Sequence, residues 1–423
     1  MNEAVNIPQL RFPEFTKALR RKSLGDFGYF YYGKSAPKWS VTEDAKTPCV
    51  RYGELYSTFG EYILDIKSHT NIPPENLKFS KGGEVLVPRV GEDPLDFAYC
   101  SFLPISDVAI GEMISVYNTK ESGLFFTYYI NSKLKKAFAR VVEGGNVSNL
   151  YYKYLENINV TIPSLDEQDK IIDFLSAVDN KIELLRQKQE LLGEYKKGLM
   201  QQIFSQAIRF KADDGSEFPE WKERRLGDVC SKAKSGGTPR STTKEYYDGD
   251  IPFLAISDIT RQGKYLTSAS KKISQLGIDN SASWIVPIDT IIYSMYASVG
   301  FVSINKIPLA TSQAVINLIV KDGYSIEFIY YHLIEVKKTI HKFIETGTQG
   351  NLNAQTVKSL ILNIPSLPEQ AKIANFLSSI DTKIEQVGKQ LDESKQFKKS
   401  PASADVCIDY GNPKRTSLRK PTD

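Results

Sequence analysis

The sequence predicts an α+β chain: two similar α/β domains separated by two long antiparallel coiled-coil helices, related by a pseudo-two-fold internal duplication. Three observations carry this expectation. One segment near the middle recurs near the end, each copy runs into a heptad of apolar residues, and the stretches between mix strand-like with helix-like patterns.

The duplication comes first because everything else is placed by it. IPSLDEQDKIIDFLSAVDNKIE, residues 162–183, returns as IPSLPEQAKIANFLSSIDTKIE, residues 364–385, with 15 of 22 positions identical at a shift of 202. The same shift, without a gap, matches Phe126, Tyr128, Tyr129, Lys135, Lys136, Glu143 and Gly145 to Phe328, Tyr330, Tyr331, Lys337, Lys338, Glu345 and Gly347. It also matches Leu24-Gly25-Asp26 to Leu226-Gly227-Asp228. Residues 27–123 and 229–325 share a length but little sequence. A duplicated frame with unlike middles implies one kind of task performed on two targets.

After each IPSL the pattern becomes helical. Ile171, Leu175, Val178, Ile182, Leu185, Leu192, Leu199 and Ile203 follow steps of four and three, with Gln189 and Lys196 at the remaining seam positions. The second copy supplies Ile373, Leu377, Ile380, Ile384, Val387 and Leu391. A helix over about 166–206 spans roughly 60 Å. One apolar stripe does not hold a lone helix together in water, so the two copies are expected to pair. Their pairing residues are Leu175, Val178, Ile182 and Leu185 against Leu377, Ile380, Ile384 and Val387. A domain lies between them in one chain, which favours the antiparallel arrangement.

The expected division is a first domain over 1–161, a spacer helix over 162–207, a second domain over 208–363, a second spacer helix over 364–400 and a disordered tail over 401–423. Within the domains, Val85-Leu86-Val87 and Ile291-Ile292-Tyr293 read as buried strands, and Gly91 and Gly300 as turns. Residues 124–142 and 326–344 each read as a helix ending before glycine. In the tail, Pro401 stops the second helix. The turns equivalent to Leu199–Phe204 are therefore missing, and Leu199 and Ile203 are expected to lack matching partners.

Composition bounds the function without naming it. Net charge is +4, from 54 basic and 50 acidic residues, so only local patches bear on a nucleic-acid partner. Cys49, Cys100, Cys230 and Cys407 form no CxxC pair, and no signal peptide or membrane-length apolar run is present. The expectation is a cytoplasmic protein with reduced thiols. Only His69, His332 and His341 occur, in no metal-ligand spacing. No phosphate-cradling GxxxxGK[ST] loop exists, and Asn71-Ile72-Pro73-Pro74 lacks the order and the aromatic of an amino-methyltransferase loop, so it reads as a turn. Asp248, Asp250 and Asp258 do not make a nuclease motif. Catalysis within the chain is not expected, and neither a metal nor a cofactor.

The repeated I-P-S-L-x-E-Q-x-K-I-x-x-F-L-S-x-x-D-x-K-I-E segments carry a resemblance. So do Gly144–Leu150 and Gly347–Asn353, and Gly236-Gly237-Thr238-Pro239 with Gly249–Phe253, for which Thr47–Glu54 is the first-half counterpart. Over about residues 10–400 the chain resembles the specificity subunit of type I restriction–modification systems. The resemblance implies two target-recognition domains, each reading one half of a split, asymmetric site on double-stranded DNA. The paired helices would serve as the spacer. It further implies two methyltransferase subunits carrying S-adenosylmethionine and adenine-N6 methylation, and restriction/translocase subunits using ATP and Mg.

Base reading calls for donors, acceptors and flat side chains on loops. The first-domain candidates are Lys34, Lys38, Trp39, Arg51, Tyr52 and Arg89, with Asn146 and Asn149 in a polar turn that contacts phosphate or caps the next element. The second-domain candidates are Lys234, Thr238, Arg240, Lys244, Tyr246, Arg261 and Tyr296, with Gln349 and Asn351 in the matching turn. Each competes with the plain reading of a solvated surface side chain. At the helix entrances, Ile162 and Leu165 are expected to pack and Glu167 to face the positive helix end, with a methyltransferase docking surface as the functional addition. A coiled-coil scaffold binding only proteins is the rival reading of the whole chain.

Overall fold

A computed structural model describes residues 11–145, 147–296, 298–343 and 352–399. These described residues form two compact units, one of residues 11–186 with 389–399 and one within 187–388.

In the first unit, Arg20–Ser23 pairs antiparallel with Asn159–Ile162, the strand that leads into the first long helix. Ser23 then caps the single turn Leu24–Phe27. Its Oγ accepts from the Asp26 amide at 3.1 Å, and the Asp26 carboxylate accepts from the Ser23 amide at 3.0 Å. This reciprocal cap gives Asp26 its place in the first copy; in the second, Arg225 stands at the cap and makes no side-chain cap bond to the turn of Asp228.

A four-stranded sheet follows, in the order Gly28–Tyr32, Ile114–Thr119, Glu84–Pro88 and Ser101–Leu103. A second has the order Ser68–Thr70, Thr47–Val50, Ser106–Ile110 and Phe79–Lys81. Its central pair is parallel, with Cys49 opposite Ala109. Val85, Leu86 and Val87 are fully buried, which explains their unbroken apolar run.

The second unit repeats this plan through its diverged middle. Lys222–Arg225 pairs with Ile361–Ile364, and Leu226–Val229 makes the single turn. One sheet orders Cys230–Ser235, Val315–Val320, Ile291–Ser294 and Val302–Asn305, with Tyr265–Leu266 added at the edge. The other orders Lys271–Ile273, Ile251–Leu254, Leu309–Thr311 and Ile285–Val286, with Phe253 opposite Ala310 in parallel. Topology is thus duplicated where sequence is not.

The two long helices run Leu165–Phe204 and Leu367–Lys399. At about 1.5 Å per residue the first is roughly 60 Å long. Leu175, Leu377, Ile380 and Val387 are buried, while Val178, Ile182, Leu185 and Ile384 are half-buried. In the second unit the helices run antiparallel. Lys196 Nζ lies 2.5 Å from Asp381 Oδ1, and a Cβ at Gly388 would meet Gln189 Nε2 at 2.8 Å. Gly388 leaves the room that the polar seam residue Gln189 needs. In the first unit Lys398 Nζ meets Asp179 Oδ1 at 2.7 Å, and Phe397 packs edge-on against Phe174.

Each Asp–Lys pair also takes a tyrosine hydroxyl: Tyr128 donates to Asp179 at 2.6 Å and Tyr331 to Asp381 at 2.5 Å.

The helix entrances are built alike. Arg11 bonds Glu167 through Nε (2.7 Å) and Nη2 (2.6 Å), and Arg209 bonds Glu369 through Nε (3.3 Å) and Nη2 (3.0 Å). Gln168 accepts from the Ser122 amide and donates to the Pro163 carbonyl, and Gln370 does the same with Ser325 and Pro365. The repeated Glu-Gln is therefore an internal clasp between helix and domain. Ile162 is buried, but Leu165 is not: it is 45% exposed, and its counterpart Leu367 is 47% exposed. The first residue of a helix whose next turn is anchored by Glu-Gln has no neighbour over its own side chain.

Four further expectations are corrected. The helix expected over 124–142 is Gly123–Tyr129, a π turn at Ile130–Leu134, and Lys135–Ala139. Ser132 Oγ donates to the Tyr128 carbonyl, and Asn131 exchanges two hydrogen bonds with the Cys100 backbone, so tertiary bonds displace the regular ladder. The helix expected over 326–344 is α-helical over Ile326–Val336 and becomes 3-10 over Lys337–Phe343. Gly91 lies in the short strand Val90–Gly91 opposite Ser148 rather than in a turn. Ile203 is 1% exposed and packs in the second unit's core with Met200, Leu226 and Phe328, so its burial needs no residue beyond 400. The tail 401–423 lies outside the described residues.

His332 occupies the position that Ile130 holds in the first unit. Its Nε2 accepts from the Asn363 amide at 3.2 Å, its Nδ1 is buried without a partner, and burial pushes the imidazole down to about 4. Protonation then favours the unfolded chain. The stability held by a neutral His332 is complete above about pH 6.5 and is lost as pH falls towards about 4. In urea unfolding, the wild type should lose about 2 kcal/mol more than His332→Ile between pH 7 and pH 5. Parallel pH profiles would exclude this role.

Candidate nucleic-acid interface

In the first unit the strand Thr47–Val50 hands over at Arg51 to the helix Tyr52–Ser57. Glu54 fixes the handover. Its Oε2 accepts from the Arg51 amide at 2.8 Å and its Oε1 from Ser68 Oγ at 2.6 Å. Arg51 and Tyr52 are thereby held at the mouth of a cleft that Lys38 also lines, together with Ser35, Glu112 and Met113. A second cleft shares Tyr52 and adds Tyr56, Tyr99 and Val147.

Three of the predicted residues, Lys38, Arg51 and Tyr52, thus converge on one opening. Trp39 shares the turn Lys38–Ser40 with Lys38. Lys34 is exposed, with Nζ 3.3 Å from the Glu75 carbonyl.

Arg89 is placed differently. Its guanidinium lies 4.2 Å from the Tyr32 ring centroid and 5.5 Å from that of Tyr151, and its Nε is buried without a partner. The guanidinium of Arg89 is thus packed against two rings of its own unit. Asn149 belongs to the strand Ser148–Asn149, opposite Val90 and Glu143. Asn146 lies outside the described residues.

In the second unit Gly236 and Gly237 are buried. A Cβ on Gly236 would sit 1.9 Å from the Thr311 carbonyl oxygen, so only glycine allows this approach. Beyond them Thr238, Arg240 and Lys244 are exposed and Tyr246 half-buried, on one segment closed by Tyr247 donating to the Pro239 carbonyl at 2.6 Å. Lys234 lies 5.9 Å from the Trp284 ring, and Tyr296 is exposed beyond the strand Ile291–Ser294. Arg261 is drawn elsewhere, pairing at 2.7 Å with the fully buried Asp258. Gln349 and Asn351 lie outside the described residues. The cap of the next helix, Ala354–Ser359, comes from Asn353, whose side chain accepts from the Thr356 amide at 2.8 Å.

Sequence reasoning missed Glu112 and Gln313. They occupy the same place in the two units, the middle of the turns Gly111-Glu112-Met113 and Ser312-Gln313-Ala314. Each turn leads from the parallel-paired strand into the main sheet. Backbone bonds establish the equivalence. Arg89 N donates to Met113 O and Met295 N to Ala314 O, while Lys34 N donates to Ile110 O and Gly237 N to Thr311 O. Gln313 accepts from Thr238 Oγ1 at 2.7 Å. No sequence signal marks these turns, whereas Tyr56 could have been found four residues after Tyr52 on a helix.

Among the described residues no group of three or more His, Cys, Asp or Glu is placed to hold a metal, and no helix is long and apolar enough to cross a membrane.

The sequence signature described as type I restriction modification DNA specificity domain matches residues 21–194 and again 219–393. The type I restriction enzyme MjaIX specificity subunit of Methanocaldococcus jannaschii is 32% identical over 193 residues, 44% of this chain and 44% of that protein. The type I restriction enzyme HindI specificity subunit of Haemophilus influenzae is 24% identical over 57% of this chain and 67% of its own. The match to the first of these thus spans under half of its length. Among solved structures, the type I restriction–modification system S subunit from M. genitalium superposes with a TM-score of 0.57 at 16% identity. That alignment covers 96% of this chain and all of the other.

Asp258 accepts from the Ala255 amide, the Ser270 amide and Ser270 Oγ, each at 3.0 Å, besides pairing with Arg261. Removing the fully buried carboxylate leaves three part-buried donors without their acceptor; removing the exposed arginine does not. Asp258→Ala should therefore cost about 2–4 kcal/mol in urea unfolding and Arg261→Ala under about 1 kcal/mol. Equal losses would contradict this assignment.

Proposed function

Because the chain belongs to the family of type I restriction modification DNA specificity domains, we propose that it reads a bipartite, asymmetric DNA site, one half with each unit. One observation carries the reading: a shared backbone frame presents different side chains at the same place. Where the first unit has Glu112 beside Lys38 and Arg51, the second has Gln313 beside Thr238. A carboxylate accepts from cytosine N4, an amide pairs bidentately with adenine, and arginine or lysine suits guanine. Equivalent turns with unlike chemistry suit two unlike half-sites.

In this proposal the chain supplies the address and no catalysis. Two methyltransferase subunits would bring S-adenosylmethionine and adenine-N6 methylation, and restriction/translocase subunits would bring ATP and Mg. The paired helices would set the distance between half-sites. Readers on one face of a duplex favour a spacing near one helical turn, about 34 Å. A scaffold binding only proteins would show no salt-dependent DNA affinity once its partners are present.

Two experiments test the proposal. The chain is co-expressed with its methyltransferase partner, and methylated adenines are mapped across a genome. The expected result is one split motif, and Gln313→Ala should weaken binding by about 1–3 kcal/mol at one half-site while the other half stays unchanged. Methylation without a split motif would refute the reading. Separately, four residues added to both long helices lengthen each by roughly 6 Å, so the gap in the motif should widen by one or two base pairs. A constant gap would remove the ruler role while leaving base reading intact.

A further inference from the structure

Three tryptophans occur in the chain, and two are integrated into its fold. Trp221 packs edge-on against Phe204 and Phe328, and Trp284 donates its Nε1 to the Ser235 carbonyl and lies beneath Lys232. Trp39 differs: 72% of it is exposed. A lone exposed aromatic is ordinary, but the backbone beneath this one is not.

Ser35 and Ala36 are consecutive non-glycine residues in the left-handed region, at φ of 65° and 59°. Left-handed backbone costs an L-residue roughly 1–2 kcal/mol. The loop is held there from both sides. Lys34 N donates to Ile110 O, Glu112 N donates to Ser35 O, and Ala36 is buried among Cys49, Leu77 and Ala109. On the far side Ser40 Oγ bonds the Pro37 carbonyl and shares a buried 2.7 Å hydrogen bond with Thr70 Oγ1, while Asn71 N donates to Ser40 O. A strained and clamped turn thus projects an indole outward.

Lys38, beside the indole in the chain, and Arg51 line the adjoining cleft, in which Glu112 is the acidic lining residue. The second unit's counterpart of the turn Lys38–Ser40 is the turn Lys244–Tyr246, because Ser274 N donates to Tyr246 O as Asn71 N does to Ser40 O, and the exposed Glu245 stands there in the place of Trp39.

We propose that Trp39 is a stacking wedge: the first unit inserts or stacks the indole at one base step of its half-site while Lys38 and Arg51 hold the flanking phosphates. The inference rests on the DNA-reading function proposed above and adds a mode to it. An indole has a single N–H and reads hydrogen-bond edges poorly. Its large apolar face instead gains most by replacing a base neighbour, which unstacks the step and selects deformable sequence. Preorganisation of the turn removes the ordering cost that such insertion would otherwise carry. The first half-site is then read partly through deformability, and the second through edge contacts alone.

The test uses the full chain assembled with its methyltransferase subunits, on a duplex of the mapped site carrying 2-aminopurine at successive positions of both half-sites. Apart from the target adenines, which the methyltransferase subunits take out of the stack, binding should raise emission at one step of the first half-site and nowhere in the second. Trp39→Ala should abolish that rise and weaken binding about 5- to 100-fold, and Trp39→Phe should keep part of both. The melting temperature of Trp39→Ala should stay within about 2 °C of wild type, since the side chain is exposed.

If wild type binds the site without any unstacked step, or Trp39→Ala keeps the signal, the wedge is refuted while DNA reading stands. If Trp39→Ala instead prevents assembly with the methyltransferase subunits, the indole is a protein contact and the wedge is refuted. Failure of the wild-type assembly to bind any mapped split site would refute the underlying function rather than the wedge alone.

Discussion

An apolar stripe on a long helix has to be covered, and in this chain that requirement ties the helices to the domains. Ile171 and Leu175 of the first long helix complete the first unit's core. Met200 and Ile203 at its other end join Ile373, Ala374 and Leu377 of the second long helix in the second unit's core. The helices are therefore core elements as well as connectors. Burial of a leucine or isoleucine side chain is worth about 1.5–3 kcal/mol, so bending either helix away at these points would forfeit several such contributions together.

The polar seam positions follow from the same constraint. Burying charge costs unless it is paired and hydrogen-bonded. Asp179 has Lys398 and Tyr128, and Asp381 has Lys196 and Tyr331. Each aspartate thus joins a long helix, its partner helix and the domain at one point. This accounts for an aspartate in both copies of the Phe-Leu-Ser-x-x-Asp motif, and for lysines 202 residues apart at the matching seam position. The surroundings differ. Glu61 stands 3.1 Å from Lys398, whereas Lys264 donates to Tyr331 and Ser378 beside Asp381, and burial lowers the pKa of that lysine.

What the sequence could reveal was whatever repeats or alternates. The heptads located the helices to within three residues, and Val85–Val87 and Ile291–Tyr293 were legible as strands because runs of buried apolar residues leave no ambiguity of face. Reciprocal tertiary bonds leave no such trace. Nothing in Glu167-Gln168 announces that Arg11 and Ser122 complete it. Nor does the sequence announce that Arg89 packs against Tyr32 and Tyr151, both far away along the chain, or that Asp258, three residues from Arg261, is buried. The common topology of the diverged middles was illegible for the opposite reason: it rests on backbone bonds that many side chains permit.

That permissiveness explains how one frame can carry two surfaces. The approach of the loop to the sheet is made by backbone, with Gly33 and Gly236 against the carbonyls of Ile110, Gly111 and Thr311 and with the amides of Lys34 and Gly237 donating to Ile110 and Thr311. These bonds hold the turn at Glu112 or Gln313 in position whatever the tip residue is. Side chains such as Lys38, Glu112, Arg240 and Gln313 are exposed and add little to the packed cores. Substitution at these tips therefore leaves stability nearly unchanged, since surface changes usually fall within about 0.5 kcal/mol. Selection on the chemistry of the tips can act without opposing selection to keep the fold. Low sequence identity between the two middles is then the expected outcome of a frame whose geometry is set by main-chain bonds and whose chemistry is left to its tips.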